Sequence, residues 1–150
     1  MIALDLQTFQ QSREGGNVIG VIYVDLESGA FPEAGWSDFP VIILCRWAEA
    51  LMQLETPMRR EVIWQFMDGP HSLALTKVTG TAPSGSLIFE QLESDLLAAA
   101  QCVVSHCERR NLLSNDLNEL QMWAGRLRLN KTMQRPEASR LARIEIRPSV

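Results

Sequence analysis

The sequence predicts an α+β fold in which helices pack against an antiparallel sheet within one layered domain. Short β-branched segments with strand-like alternation lie next to one another along the chain, and most helical patterns come after them. The 150 residues are the length of a single domain, and a chain of this size can bury a core without disulfides or metals.

The first predicted elements are a central strand and a deeply buried helix. Residues 18–26 form a short β-branched apolar run, which indicates a strand covered on both faces. Residues 41–54 place their polar side chains on one narrow stripe, so we expect a helix with little exposure. Pro40 suits its first turn, and either Ser37 or Asp38 is expected to cap it.

A hairpin is predicted next. Residues 61–67 alternate in polarity, residues 68–70 (Asp-Gly-Pro) carry the signal for a turn, and residues 71–78 form the returning strand. Gly69 is expected to take a positive φ. Residues 80–86 are interpreted as a loop, and residues 87–89 as a short strand.

The rest of the chain is mostly helical. Residues 91–110 and a second segment through Leu127 repeat their apolar side chains every three to four positions, and Asp116 with Glu119 resembles a capping box at the second start. We predict one domain over residues 1–130. Residues 131–150 are predicted to be a basic C-terminal tail, with an edge strand at residues 142–147.

Charge is unevenly distributed along the chain. Residues 1–100 hold 13 acids and 5 bases, whereas residues 101–150 hold 5 acids and 9 bases. Two solvated faces would explain this, and so would an acidic surface that meets a basic partner. The overall acidity, with only Trp123 near the basic tail, disfavours a nucleic-acid partner.

Cysteine and histidine are too sparse to define a metal or cofactor site. The three cysteines (Cys45, Cys102 and Cys107) and two histidines (His71 and His106) lack metal-ligand spacing, so we expect no metal and no cofactor. Three reduced thiols are typical of the cytoplasm. The sequence has neither an apolar run of membrane length nor a secretory signal pattern. A small enzyme with a Cys/His site, pairing Cys45 or Cys102 with His71, stays open as an alternative.

Five carboxylates lie at predicted strand ends and turns, where they would form one acidic patch if those ends meet. A helix cap is the alternative role for Asp38, and a turn residue is the alternative role for Asp68. The five residues are Asp25, Glu27, Glu33, Asp38 and Asp68.

Two segments carry a resemblance to a known family. FPEAGWSDFPVIILCRWAEAL (31–51) and FMDGPHSLAL (66–75) resemble small bacterial immunity proteins that accompany polymorphic or contact-dependent toxins. The similarity extends over most of residues 18–130, and its motifs are structural. It implies a cytoplasmic, stoichiometric inhibitor with no catalytic residues. Its partner would be a cognate protein toxin, such as a basic nuclease or another enzyme domain.

The five carboxylates are then the candidate toxin-binding residues. A homodimeric ligand-binding module, formed through a sheet edge or a helix face, is a further alternative. Within the first motif, Phe31 and Trp36 are expected to tuck under the buried helix as a clamp between strand and helix. The competing interpretation makes Trp36 an exposed anchor for a partner.

Overall fold

Two antiparallel sheets of four strands each organise the protein in a computed structural model that describes residues 1–149. Together with four helices they make the α+β fold that the sequence predicts. The strands divide into an N-terminal and a C-terminal sheet, where the sequence pattern had suggested one sheet.

The N-terminal sheet is built around β2 (Val18–Leu26), which pairs with every other strand of that sheet. Its neighbours are β1 (Ile2–Gln11), β3 (Gly29–Phe31) and β4 (Ser37–Asp38), and all three run antiparallel to it. The central position predicted for β2 is confirmed. The sequence pattern did not predict β1, because most of its outward residues are polar and its register shifts between Asp5 and Gln10.

The C-terminal sheet contains the predicted hairpin and the end of the chain. Its order is β5 (Glu61–Gln65), β6 (Ser72–Lys77), β8 (Arg143–Ser149) and β7 (Leu87–Ile88). The hairpin and the final strand are confirmed. The edge position predicted for residues 142–147 is wrong where the strand begins, because Arg143 and Ile144 pair with β7, and β6 pairs with β8 on the other side from Ile144 onward.

The physical reason is that β8 brings an apolar side chain to the core despite its flanking charges. Ile144 is fully buried and faces Lys77 on β6 and Leu87 on β7. Arginine and glutamate on either side of it made the segment look like a solvated edge. Arg143 and Ile144 therefore lie inside the sheet, whereas residues 145–149 pair with β6 alone.

Three long helices and one short helix complete the fold: α1 (Pro40–Glu55), α2 (Phe89–Arg109), α3 (Asn115–Thr132) and α4 (Glu137–Arg140). The first three match the predicted helices. Their caps differ from prediction. Phe39 precedes α1 and no side chain caps it, and the Ser114 hydroxyl, not Asp116, accepts the Leu117 amide at 3.2 Å.

The core of the molecule centres on two stacked indoles. Trp47 of α1 and Trp64 of β5 lie 4.6 Å apart with nearly parallel rings. Trp64 donates its indole N–H to the Trp47 carbonyl, and Trp47 donates its own to the Gln65 carbonyl, each at 3.1 Å. Both rings are buried without leaving an indole donor unsatisfied, which fixes α1 against the C-terminal sheet.

A buried ionic cluster joins the helices to the segment after α3. The Glu93 side chain is fully buried and receives Arg135 Nη2 at 2.6 Å. Arg135 also donates to Glu55 at 2.9 Å, and Asn130 donates to Glu55 Oε2 at 2.6 Å. Burial opposes the charge on Arg135, but hydrogen bonds to Glu93 and Glu55 outweigh it and raise its pKa. Arg135 therefore belongs to the interior and not to a solvated basic face.

Candidate interaction surface

A single buried carboxylate links the N-terminal sheet to the turn between β5 and β6. The Asp38 side chain is only 2% exposed. Its Oδ1 accepts the Phe39 amide at 2.8 Å, while Oδ2 accepts the amides of Met67 and Asp68 at 3.0 and 3.1 Å and the indole N–H of Trp36 at 3.1 Å. Four N–H donors thus compensate a charge that would be costly to bury alone.

Aromatic side chains pack around this carboxylate and form what we call the aromatic junction: Phe31, Trp36, Phe66 and His71. Trp36 meets His71 edge to face at 4.9 Å, and Phe31 contacts Phe66 and His71 at 5.9 and 6.0 Å. Gly69 takes the predicted positive φ of 78°, and a Cβ at this position would lie 3.1 Å from the His71 ring. The turn is therefore shaped for close packing on His71.

Trp36 acts as a clamp between β4 and the β5–β6 turn. Its indole N–H is donated to Asp38, its ring packs on His71, and its half-buried side chain packs against the hydrophobic core. Phe66 completes the connection to the helix, because its ring meets Trp47 edge to face at 5.2 Å. The two sheets are consequently joined by side chains from both sequence motifs.

Asp38 also corrects the predicted acidic patch. A partner cannot reach it in this fold, because all four donors come from the chain itself. Its predicted role as a helix cap is also wrong, since its bonds lead to Phe39 and across to the hairpin turn instead of into the first turn of α1. Asp38 is a structural link, and it is not a surface residue.

The other four predicted carboxylates are exposed, and we call them the acidic surface: Asp25, Glu27, Glu33 and Asp68. Glu33 and Asp68 flank Trp36. The Glu33 carbonyl accepts the Trp36 amide at 3.2 Å, and the Asp68 amide is bound to Asp38. These two hydrogen bonds place Glu33, from the loop between β3 and β4, and Asp68, from the turn between β5 and β6, beside the aromatic junction.

Asp25 and Glu27 lie on the β2–β3 hairpin. Asp25 pairs with Ala30, and Glu27 occupies the tight turn that follows. Glu27 Oε2 accepts the Ser84 hydroxyl at 3.3 Å and lies close to Gly85. The structure therefore places Glu27 next to the loop before β7, while Glu33 and Asp68 stand at the junction itself.

The cysteines and histidines do not form the pair that a thiol mechanism needs. Burial raises the pKa of Cys45 to about 12, helped by Glu119 and Asp116, and burial raises the pKa of Cys107 to about 11. Both thiols are protonated at neutral pH, and Cys102 is exposed on α2. His71 is packed in the aromatic junction, whereas His106 is buried against Phe9 at 5.7 Å.

Among residues 1–149, no group of three or more His, Cys, Asp or Glu side chains is arranged to hold a metal ion. In the same range, no helix combines the length and the apolar composition that crossing a bilayer requires.

The sequence pattern did not reveal the two buried carboxylates. Glu93 lies three and seven positions before Leu96 and Ala100 on the apolar face of α2, and an acid at such a position requires a buried partner. That spacing was a usable signal for a buried acid. Its partner Arg135 lies 42 positions later and could not be identified from spacing.

Comparisons with known proteins give no relative for this chain. It matches no protein-family model, and no curated protein and no solved structure is significantly similar to it.

Proposed function

We propose that this protein is an immunity protein of the bacterial cytoplasm that neutralises a cognate toxin by stoichiometric binding. The observation that carries the proposal is the acidic surface. Two of its members, Glu33 and Asp68, lie beside the aromatic junction, which is held by four hydrogen bonds to Asp38. The resemblance of residues 31–51 and 66–75 to immunity proteins supports the same function.

A rigid acidic surface suits the inhibition of an enzyme with a basic cleft. Fixed carboxylates attract a basic partner during diffusion and disfavour partners of the wrong charge. Because the Glu33 and Asp68 loops are tied to the fold by backbone bonds, little conformational freedom is lost when they bind. The proposed partner is a basic nuclease or another basic enzyme domain.

Co-expression tests the proposal directly. The product of the adjacent gene is produced in cells with and without this chain, and survival is counted. We expect the chain to restore growth, and we expect the Glu33→Lys/Asp68→Lys variant to lose protection. The matched control is Glu14→Lys/Glu119→Lys, which changes net charge equally at exposed sites elsewhere. If a toxic neighbour kills cells equally with and without the chain, the proposal is wrong.

A thiol enzyme is the alternative, and alkylation distinguishes it. Iodoacetamide at neutral pH should label Cys102 in the native protein at the rate of an ordinary exposed thiol, and Cys45 and Cys107 only after unfolding. The reason is that burial keeps the latter two protonated and inaccessible. Mass spectrometry of the labelled peptides gives the result. Rapid native labelling of Cys45, or labelling of Cys102 well above the rate of an ordinary exposed thiol, would favour the enzyme.

A further inference from the structure

An apolar stripe runs along the exposed side of α3. Met122, Leu129 and Met133 are 44%, 65% and 63% exposed. Their spacing of seven and then four positions sets them on one face of the helix, with Met133 directly after its last residue. The opposite face of α3 packs on α1 and α2. Large apolar side chains that share one exposed face mark an interaction surface.

Opposite charges are divided between the two halves of the same helix. Asp116 and Glu119 lie in its first two turns, whereas Arg126, Arg128 and Lys131 lie in its second half, and the chain has no acid between residues 120 and 136. The charge pattern of α3 is therefore complementary to that of the same helix turned end to end.

Two of these charged residues flank the apolar stripe on the same side. Glu119 and Arg126 are seven positions apart, which is close to two full helical turns, so both side chains lie along one border of the stripe. Both are exposed, and within residues 1–149 neither of them forms an ion pair. The fold therefore leaves one acid and one base beside the stripe without a partner of opposite charge.

A hollow lies at the start of α3. Its volume is about 390 Å³, and Asn115 and Asn118 are among the residues that line it. These two residues share the face of Met122, because they precede it by seven and four positions. The exposed side chain of Leu113 lines the hollow as well. The same face of α3 thus carries a hollow near its beginning and projecting apolar side chains near its end.

We propose that α3 pairs with α3 of a second copy of this chain, antiparallel about a two-fold axis close to Met122. An axis there sets Glu119 of each copy opposite Arg126 of the other, and it sets Met122 beside its own counterpart. Leu129 of one copy then stands opposite the start of the other α3, where the hollow lies.

The position of the axis suits the helix as a whole. It falls near the middle of Asn115–Thr132, so the two helices overlap along almost their entire length. The basic half of each helix lies against the acidic half of the other. The dimer goes beyond the proposed toxin binding, because none of the residues that form it belongs to the acidic surface.

Charge reversal at two exposed residues tests the pairing. Glu119→Arg and Arg126→Glu each set like charges opposite one another at two places in the interface. We expect either variant to weaken association about tenfold at low salt. An equimolar mixture of the two variants should associate as tightly as the original chain, because every contact between the copies again joins opposite charges. Sedimentation equilibrium at up to about 1 mM chain gives the masses.

The matched control is Glu61→Arg, which changes the net charge equally at an exposed position on β5. It should associate like the original chain. A monomer at every concentration overturns the proposal, and so does a mixture of the two charge variants that associates no more tightly than either variant alone. Circular dichroism checks that each variant keeps the fold.

Cross-linking locates the axis independently. In a Cys102→Ser background, Met122→Cys should form a disulfide between two copies under mild oxidation, because these residues meet at the axis. Leu129→Cys should not, since the rise of the helix would place its two copies about 20 Å apart. Linkage through residue 129, or through neither position, would contradict the antiparallel register even if a dimer forms.

Discussion

Two buried carboxylates hold this protein together in different ways. Asp38 is satisfied by N–H groups of the backbone and of one indole, all close to the sheet junction. Glu93 is satisfied by the guanidinium of Arg135, and Glu55 shares the same cation. The first arrangement needs only dipoles, which the folded turn presents without a counterion. The second needs a full positive charge from a segment that must fold back onto α2.

The stability of the two regions therefore depends on different interactions. Removing a dipolar donor leaves the other donors around Asp38 in place, so the junction should lose stability gradually. Removing the one cation leaves a charge buried without compensation, which is among the costliest changes in a protein interior. The helical region should therefore be the more sensitive of the two to a single substitution.

The largest effect is expected from Arg135→Ala. Glu93 would remain fully buried without a counterion, so the free energy of unfolding should fall by about 3–5 kcal/mol. Urea unfolding followed by circular dichroism measures it. The control is Arg140→Ala, which removes an exposed pair with Glu90 at 3.8 Å and should cost under about 1 kcal/mol. Equal effects of the two variants would remove the distinction between the regions.

A double variant distinguishes the loss of the ion pair from the loss of packing. Glu93→Leu/Arg135→Met replaces both buried charges by apolar side chains of similar size and should recover most of the lost stability. Failure to recover would mean that the cost of Arg135→Ala comes from lost packing against Phe89, whose ring centre is 5.8 Å from the guanidinium carbon.

A somewhat smaller loss is expected from Asp38→Ala. The substitution leaves the Met67 and Asp68 amides and the Trp36 indole without their acceptor, so the free energy of unfolding should fall by about 3 kcal/mol. Asp68→Ala changes an exposed side chain of the same turn and should be nearly neutral. Because the chain has four tryptophans, the emission of Trp36 is obtained as the difference between spectra with and without Trp36→Phe. An unchanged difference spectrum in Asp38→Ala would contradict the linking role of this carboxylate.

The smallest change in stability is expected from His106, a buried polar side chain. His106 Nε2 has no partner within residues 1–149, and burial, together with Arg110 and Arg109, lowers its pKa below the ordinary value of 6.5. As the pH falls, His106 takes up its proton in the unfolded chain before it does so in the folded one. The stability that neutral His106 contributes above pH 6.5 should therefore be lost as the pH falls through the pKa of His106 in the folded protein. His106→Gln should flatten that part of a melting-temperature profile, and an unchanged slope would exclude His106 as the cause.

Local patterns were sufficient for most of the elements. The strand at residues 18–26, the helix at residues 41–54 and the hairpin around Gly69 follow from side-chain periodicity and turn chemistry, which act over a few neighbours. The strand β1 escaped prediction because its polar outward residues and shifted register obscure the alternation. Of the candidate site, the four exposed acids lie at strand ends and turns as the sequence predicts, whereas Asp38 is neither a surface group nor a helix cap, because its acceptors are satisfied by Phe39, Trp36 and the distant hairpin turn.

Local sequence patterns are enough to specify the α+β class, the helix and strand segments with clear periodicity, and the excess of acid in the first two-thirds of the chain. The burial of Asp38 between two sheets, the pairing of Arg135 with Glu93, and the sheet order that places β8 between β6 and β7 depend on contacts between distant parts of the chain. Side-chain periodicity is a local property that indicates which face of a segment is buried. A hydrogen bond or an ion pair instead joins particular atoms that come together only when the whole chain folds.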